Sequence, residues 1–182
     1  MRRVFRSLVI LALTTVSVAC GGGLGGGSPG SGGGGGGTVV PGTTAYQYNL
    51  DRVNELRASV GAPPLVLDPV ISAFATAGSQ QLLQDHTPHA HMQLASDLGT
   101  LFTTDGFVGG AAENQGDPFG WPSGSAQEQI AEILQMMWDE GPGTGAAHGH
   151  YNNLVNPAFT RLGVGLVLDA TGRLYFTNDF SG

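Results

Sequence analysis

From residue 46 onward, apolar residues recur at spacings of three and four, and this period predicts helices. A first helix is expected over residues 46–60, where Gly61 and the two prolines after it end the pattern. A second helix is expected over about residues 69–84. Asp68 suits the N-cap of that helix, and Pro69 suits its first turn.

A third helix is predicted to begin at residue 126, because Ser125 and Glu128 have the spacing of a capping box. Gly141 and the following proline stop it. Between the second and third helices, residues 85–124 are rich in Gly, Asp, Thr and Pro, which predicts a long and mostly irregular loop with about one helical turn in it. Long loops of this kind often carry function.

The last part of the chain changes to a period of two, which is typical of strands. Residues 161–180 alternate well on either side of a turn at residues 169–172, and a short extended segment is expected at residues 65–67. The order helix, helix, loop, helix, loop, hairpin predicts an α+β domain with helices packed on a small antiparallel sheet.

The first residues do not fit this domain. Arginines, an apolar run and small residues over positions 1–20 are typical of a secretory signal peptide, and Cys20 stands where cleavage is expected, as in a bacterial lipoprotein signal. Ser17 departs from that pattern, so ordinary cleavage is the alternative. Residues 21–44 are almost all small and predict a flexible linker. The folded domain is therefore expected over residues 45–182.

The charge of this domain narrows the classes of partner. It contains no lysine, only four arginines and all fourteen acidic residues of the chain, so its formal charge is near −10. A surface of that sign repels phosphate backbones, which argues against nucleic acid as a partner. The single cysteine of the chain is Cys20, so the domain is expected to fold without a disulfide. It is also expected to be a monomer.

All five histidines fall in two short runs, residues 86–91 and 148–150. Residues two apart point the same way in an extended segment but not in a helix. The pairs His89 with His91 and His148 with His150 are therefore expected on extended backbone, where neutral imidazoles can bind a divalent metal ion.

Two glutamates are candidates to join them. Glu140 lies at the edge of the apolar face where the third helix ends, and a carboxylate there needs a partner, which His148 or His150 can supply from eight or ten residues further on. Glu113 stands in the segment AAENQG, inside the long loop. Taken alone, Glu140 is equally well explained as a solvated glutamate at a helix end, and Glu113 by itself indicates little.

Four segments together resemble the CAP superfamily of cysteine-rich secretory proteins, antigen 5 and pathogenesis-related proteins, also called SCP-like domains. They are VNELRASVGAPPLVLDP, AAENQG, MMWDEG and GHYNNLVNPAFTRLGVGL, in chain order over nearly all of the domain. The resemblance implies an α-β-α sandwich whose cleft is lined by two histidines and two glutamates, a set that holds zinc or another divalent cation in some members.

Carried over residue by residue, the resemblance assigns Glu113, Glu140 and His150 to this cleft, with His91 as the remaining histidine. His89 and His148 stay as alternatives. Ala112 replaces the glycine of the family's Gly-Glu-Asn motif, and Gln115 replaces the usual apolar residue after it.

These observations predict a binding protein of the cell envelope. We expect it to be anchored to a membrane through lipid on Cys20, at an outer membrane or cell surface, or else secreted. Its cleft is expected to bind a divalent cation such as zinc, and a small apolar or glycan ligand. The alternatives are a set of four residues that only hold the fold together, and a metal- or carboxylate-dependent hydrolase, which is the least favoured.

Overall fold

A computed structural model describes residues 38–39, 43–118 and 124–182 of the chain. The predicted signal peptide with Cys20, and most of the predicted linker, lie outside the described residues. Among the helices that are described, none has both the length and the apolar character needed to cross a bilayer.

Five helices form the outer layers. They are α1 (Thr43–Ser59), α2 (Pro69–Asp85), α3 (Ala90–Leu98), α4 (Ala126–Asp139) and α5 (Gly149–Val155). The three long helices were predicted, and their caps are those expected. The Asp68 carboxylate accepts the backbone N–H groups of Val70 and Ile71 at the start of α2. Ser125 and Glu128 form the capping box of α4.

The strands are β1 (Thr38–Val39), β2 (Val66–Leu67), β3 (Ala111–Gly116), β4 (Arg161–Leu168) and β5 (Leu174–Ser181). They form one sheet in the order β1-β4-β5-β3, with β2 also paired to β4. The predicted hairpin is β4 and β5. All pairs are antiparallel except β2 with β4, which is parallel, so the sheet is mixed where a purely antiparallel one was expected.

Helices cover both faces of this sheet. The main apolar core joins α1, α4 and α5 to one face, through residues such as Leu162, Phe176 and Phe180. On the other face α2 lies very close to β4, because two positions of that strand have no side chain. A Cβ at Gly163 or Gly165 would collide with the backbone of α2. The architecture is the α-β-α sandwich that the resemblance implied.

Arg57 fixes α5 to α1 within this sandwich. Its guanidinium is fully buried, and it donates hydrogen bonds to one backbone carbonyl after α1 and to three at or after the end of α5. The acceptors are the carbonyl oxygens of Pro63, Leu154, Asn156 and Phe159. Burial lowers the pKa of Arg57. Since every one of its partners is neutral, this arginine serves to hold α5, the helix that carries His150, in position.

Two expectations about the loops were wrong. The segment 85–124 contains the nine-residue helix α3 and the six-residue strand β3, so it is far from irregular. Neither histidine pair lies on extended backbone. His89 is left-handed, with φ of 66°, and precedes α3, while His91 lies within that helix. His148 ends a 3-10 turn that begins at Ala146, and His150 belongs to α5. Local hydrogen bonding at two helix starts overrides the extended conformation.

Candidate functional site

The structure divides the candidate residues into two histidine–glutamate pairs. In one, Nδ1 of His150 lies 2.5 Å from Oε1 of Glu140. In the other, Nδ1 of His89 lies 2.8 Å from Oε1 of Glu113. Three of the four side chains are almost fully buried, and Glu140 is 14% exposed. The contact between Glu140 and the second histidine run was predicted from the sequence, with His148 and His150 both left open.

The pair of Glu140 and His150 joins the end of α4 to the start of α5. Besides the imidazole, the Glu140 carboxylate accepts the backbone N–H of His150 at 3.0 Å and that of Tyr151 at 3.3 Å. These N–H groups belong to the first turn of α5, where a helix has no acceptors of its own for them. Glu140 therefore caps α5 and orients its histidine at the same time.

His148, the alternative to His150, does not contact the carboxylate. Its Nδ1 lies 2.8 Å from the carbonyl oxygen of Glu140 and 3.1 Å from that of Gly141. A ring nitrogen facing two carbonyl oxygens carries the proton and donates it. His148 therefore helps to fix the turn after α4.

His89, the alternative to His91, is the histidine that pairs with Glu113. Its unusual left-handed backbone is held by Gln115, whose Oε1 accepts the N–H of His89 at 2.7 Å. The Gln115 amide in turn donates to Oγ1 of Thr177 at 3.1 Å, and the Ser79 hydroxyl donates to the same oxygen at 2.8 Å. The substitution of Gln for the usual apolar residue at position 115 thus has a structural consequence, since it supplies the acceptor that this conformation of His89 needs.

His91 lies two residues after His89, in the first turn of α3. No hydrogen bond among the described residues joins it to a carboxylate. Its ring packs on Phe74, with centroids 4.4 Å apart, and its Nε2 is buried without a hydrogen-bond partner in the described part of the chain. Burial lowers the pKa of His91, although the negative charges of Glu113 and Asp105 oppose that effect. His91 is therefore a neutral ring at the edge of the Glu113 site.

A further acid, Asp179, belongs to the Glu113 site and was missed in the sequence. Asp179 pairs with Glu113 across β3 and β5, so the two side chains lie on the same face of the sheet. Asp179 is fully buried, and neither of its oxygens nor Oε2 of Glu113 has a donor among the described residues. Burial and the neighbouring Glu113 carboxylate raise the pKa of Asp179 well above its ordinary value. This shift favours the protonated form of Asp179, which can donate a hydrogen bond to Glu113. The alternation of β5 was the available signal, since it places Asp179 opposite the apolar face.

The two pairs contact the edge strand β3 from opposite faces. Glu113 points to the α2 side, and the next residue, Asn114, donates its amide to the carbonyl of His150 at 3.1 Å on the α5 side. Asn153 of α5 donates to the Asn114 side chain at 2.9 Å, which fixes that contact. Within the described residues, no three His, Cys, Asp or Glu side chains form a group that could hold one metal ion.

Each pair can still supply an imidazole nitrogen as a metal ligand. A histidine whose Nδ1–H donates to a carboxylate has its lone pair on Nε2, which is the form that binds a metal. Nε2 of His150 is buried and has no hydrogen-bond partner among the described residues. Each pair therefore fits a site in which one imidazole nitrogen is completed by water, and does not fit one with three or more protein ligands. The prediction that they bind a metal stays a prediction.

Solved structures share this architecture at low sequence identity. An outer surface protein from Borrelia burgdorferi aligns with a TM-score of 0.59 and 14% identity, over 79% of this chain and 96% of that one. Na-ASP-1 aligns with a TM-score of 0.53 and 14% identity, over 76% of this chain and 38% of that one. An extracellular SCP-domain protein from Bacillus anthracis is 24% identical over 74% of this chain and 39% of that one, with a TM-score of 0.49. The chain thus spans less than half of the last two proteins.

No curated protein matches the chain. The model of one protein family does match it, over residues 50–180, and the description of that family is the cysteine-rich secretory protein family, CAP. The match covers more than half of the chain and contains all six histidine and glutamate candidates. The chain therefore belongs to the CAP family.

Proposed function

We propose that this chain is a CAP-domain binding protein of the cell envelope, tethered through Cys20, whose histidine–glutamate pairs bind a divalent cation such as zinc. The observation that carries the proposal is the buried and unpartnered Nε2 of His150, next to an Nδ1 that faces a carboxylate. A polar atom buried without a partner is costly, and a bound ion or water would satisfy it.

The carboxylates support cation binding indirectly, through their hydrogen bonds with the histidines. Glu140 and Glu113 each accept a hydrogen bond from an imidazole, which fixes the tautomer and makes Nε2 a better electron donor. Zinc suits nitrogen ligands with water in the remaining positions. With so few protein ligands, binding is expected to be weak and not very selective between divalent ions.

A structural role for the two pairs is the second candidate. It is favoured by the absence, within the described residues, of any three-ligand group, and by the bonds from Glu140 to the backbone of α5. A hydrolase is less well supported, because each glutamate already accepts a hydrogen bond from a histidine, and Glu113 is almost fully buried, out of reach of a substrate water.

Zinc titration by calorimetry separates these candidates. The wild-type protein is compared with His150→Ala and with the matched control His148→Ala, at pH 7.5 and pH 5.5. We expect zinc binding at pH 7.5 that is lost in His150→Ala, kept in His148→Ala, and weaker at pH 5.5 because protonated imidazole does not bind metal. Absence of binding in the wild type would leave the structural role.

Anchoring is tested independently by Cys20→Ser. If lipid on this cysteine holds the protein at a membrane, the variant should leave the membrane fraction or remain unprocessed. Unchanged partition into membranes would reject the anchor. A surface location agrees with the name of the Borrelia protein of similar fold, an outer surface protein.

A further inference from the structure

A groove separate from the two histidine–glutamate pairs runs between α2, α3 and the segment that follows α3. Its volume is about 400 Å³, which is in the range of small-molecule sites. Phe74 lies in its wall, together with Leu94 and Leu98, which are 58% and 68% exposed. Apolar side chains so exposed beside a concave surface are typical of a place where a ligand or partner binds.

One end of this groove is polar and negatively charged. Asp105 is the only acidic side chain among the described residues that line the groove, and His91 is the only other titratable one. The buried and unpartnered Nε2 of His91 adds a hydrogen-bonding atom to the lining. Basic side chains are absent from the described lining residues. The guanidinium of Arg161, which donates to the carbonyl of Gly106, is paired with Asp68.

The segment that carries Asp105 is held in place by its own backbone. The N–H groups of Thr104 and Asp105 both donate to the carbonyl of Thr100, at 2.9 and 3.1 Å. Leu101 and Phe107, on either side, are buried in the small core under the groove. The carboxylate of Asp105 is thus presented on a fixed turn, and a ligand need not order this part of the backbone on binding.

We propose that this groove binds a small amphiphilic cation, an alkyl or aryl ammonium, with its apolar part along Phe74, Leu94 and Leu98 and its ammonium group at Asp105. Charge complementarity selects the head group, because an acid on a domain of formal charge near −10 attracts a cation and repels a carboxylate of the same size. The volume sets the size of the ligand at roughly twenty non-hydrogen atoms or fewer.

The test compares three probes with one tail and different heads: decylammonium, decanol and decanoate. Their affinities for the purified protein are measured by calorimetry at pH 7.5 with a chelator present, each below the concentration at which it forms micelles. We expect decylammonium to bind at least about tenfold more tightly than decanoate, with decanol between them, as is usual for one close charge pair in a partly desolvated site.

Four variants locate the effect. Asp105→Asn should bring the decylammonium and decanoate affinities to within about threefold of each other, while Asp97→Asn, which removes a carboxylate from the exposed face of α3, should not. The double variant Leu94→Ser with Leu98→Ser should weaken all three probes at least about tenfold, and Met136→Ser, at an exposed position of α4, should leave them unchanged. All five positions are at least partly exposed, so folding is expected to survive.

Equal affinity of the wild type for the three probes, or absence of binding by all of them, would overturn the proposal. So would a loss of preference in Asp97→Asn as large as that in Asp105→Asn, since it would show attraction by the whole acidic surface. Because zinc is absent and none of the variants touches His150 or Glu140, the result is independent of the cation site proposed above.

Discussion

Each of the two histidine–glutamate pairs has a hydrogen bond between Nδ1 of the histidine and the glutamate carboxylate. The other groups that contact the two carboxylates are different. The carboxylate of Glu140 accepts two backbone N–H groups besides its imidazole, and its partner lies ten residues away in the chain. The carboxylate of Glu113 has one donor, His89, and its second oxygen faces the buried acid Asp179. One carboxylate is fully satisfied, and the other requires a neutral neighbour.

This difference indicates different contributions to stability. The Glu140 pair supplies hydrogen bonds that α5 would otherwise lack, so it should stabilise the fold strongly. The Glu113 pair holds a left-handed histidine, a buried acid and an unpaired oxygen in one place, which are features that cost free energy. Buried groups of this kind are more often kept for function than for stability.

The largest expected effect is that of Glu140→Ala. It leaves His150 Nδ1 and the first N–H groups of α5 without an acceptor, so the free energy of unfolding should fall by about 3 kcal/mol. Chemical denaturation at pH 7.5 measures this, with Glu132→Ala on the exposed side of α4 as the control.

Glu113→Gln should cost much less free energy of unfolding, about 1 kcal/mol or under, because an amide can donate to Asp179 and still accept from His89. Equal costs for the two would break the comparison.

Gln115→Leu tests the support of the second pair. It restores the apolar residue expected at this position but removes the acceptor of the His89 N–H and the donor to Thr177. One buried N–H left unpaired predicts a loss of about 2 kcal/mol in the free energy of unfolding. The exposed Gln135→Leu is the control. A neutral or stabilising result for Gln115→Leu would mean that the backbone at His89 does not depend on this contact.

The same contrast explains what could be predicted from the sequence. The partner of Glu140 follows from the end of a helix and a short loop, so local spacing was enough to place His148 and His150 near it. The partner of Glu113 depends on the left-handed backbone of His89 and on Gln115, twenty-six residues further on. No local pattern encodes such a contact, so the sequence could not show which of His89 and His91 pairs with Glu113.

The fold was predictable for a similar reason. The long helices and the hairpin have their own periodicity and caps, and each was predicted close to its observed bounds. Strand β3 was missed because all of its neighbours are distant in the chain, and because its segment AAENQG is polar where strands are usually apolar. Asp179 was also missed, because its position next to Glu113 follows only from the pairing of β3 with β5.

Asp179→Asn should have a smaller effect of the opposite sign. Because the folded state raises the pKa of Asp179, the folded protein keeps this proton at pH values where the unfolded chain has released it. The wild type therefore loses stability as pH rises from the ordinary carboxyl range towards that raised value. Asparagine is neutral throughout and can still donate to Glu113, so at pH 7.5 the variant should be more stable by about 1 kcal/mol.

Denaturation at pH 4, 6 and 7.5 measures the difference between Asp179→Asn and the wild type. It should be smallest at pH 4 and grow with pH. A constant difference would show that the substitution acts through packing, and a variant that is less stable at pH 7.5 would show that Asp179 is needed as a carboxylate.

His148→Ala is expected to have the smallest effect, and it sharpens the comparison inside one histidine run. His148 donates only to the carbonyls of Glu140 and Gly141 and is half-buried, so its loss should cost about 0.5 kcal/mol. His150→Ala, two residues away, removes a fully buried ring and the partner of a carboxylate, and should cost several times more. Thermal melts of both variants without zinc measure the loss of stability, and melts with zinc measure whether zinc still stabilises each variant. A larger cost for His148→Ala than for His150→Ala would mean that the turn after α4, and not the pair of Glu140 and His150, is what holds α5 in place.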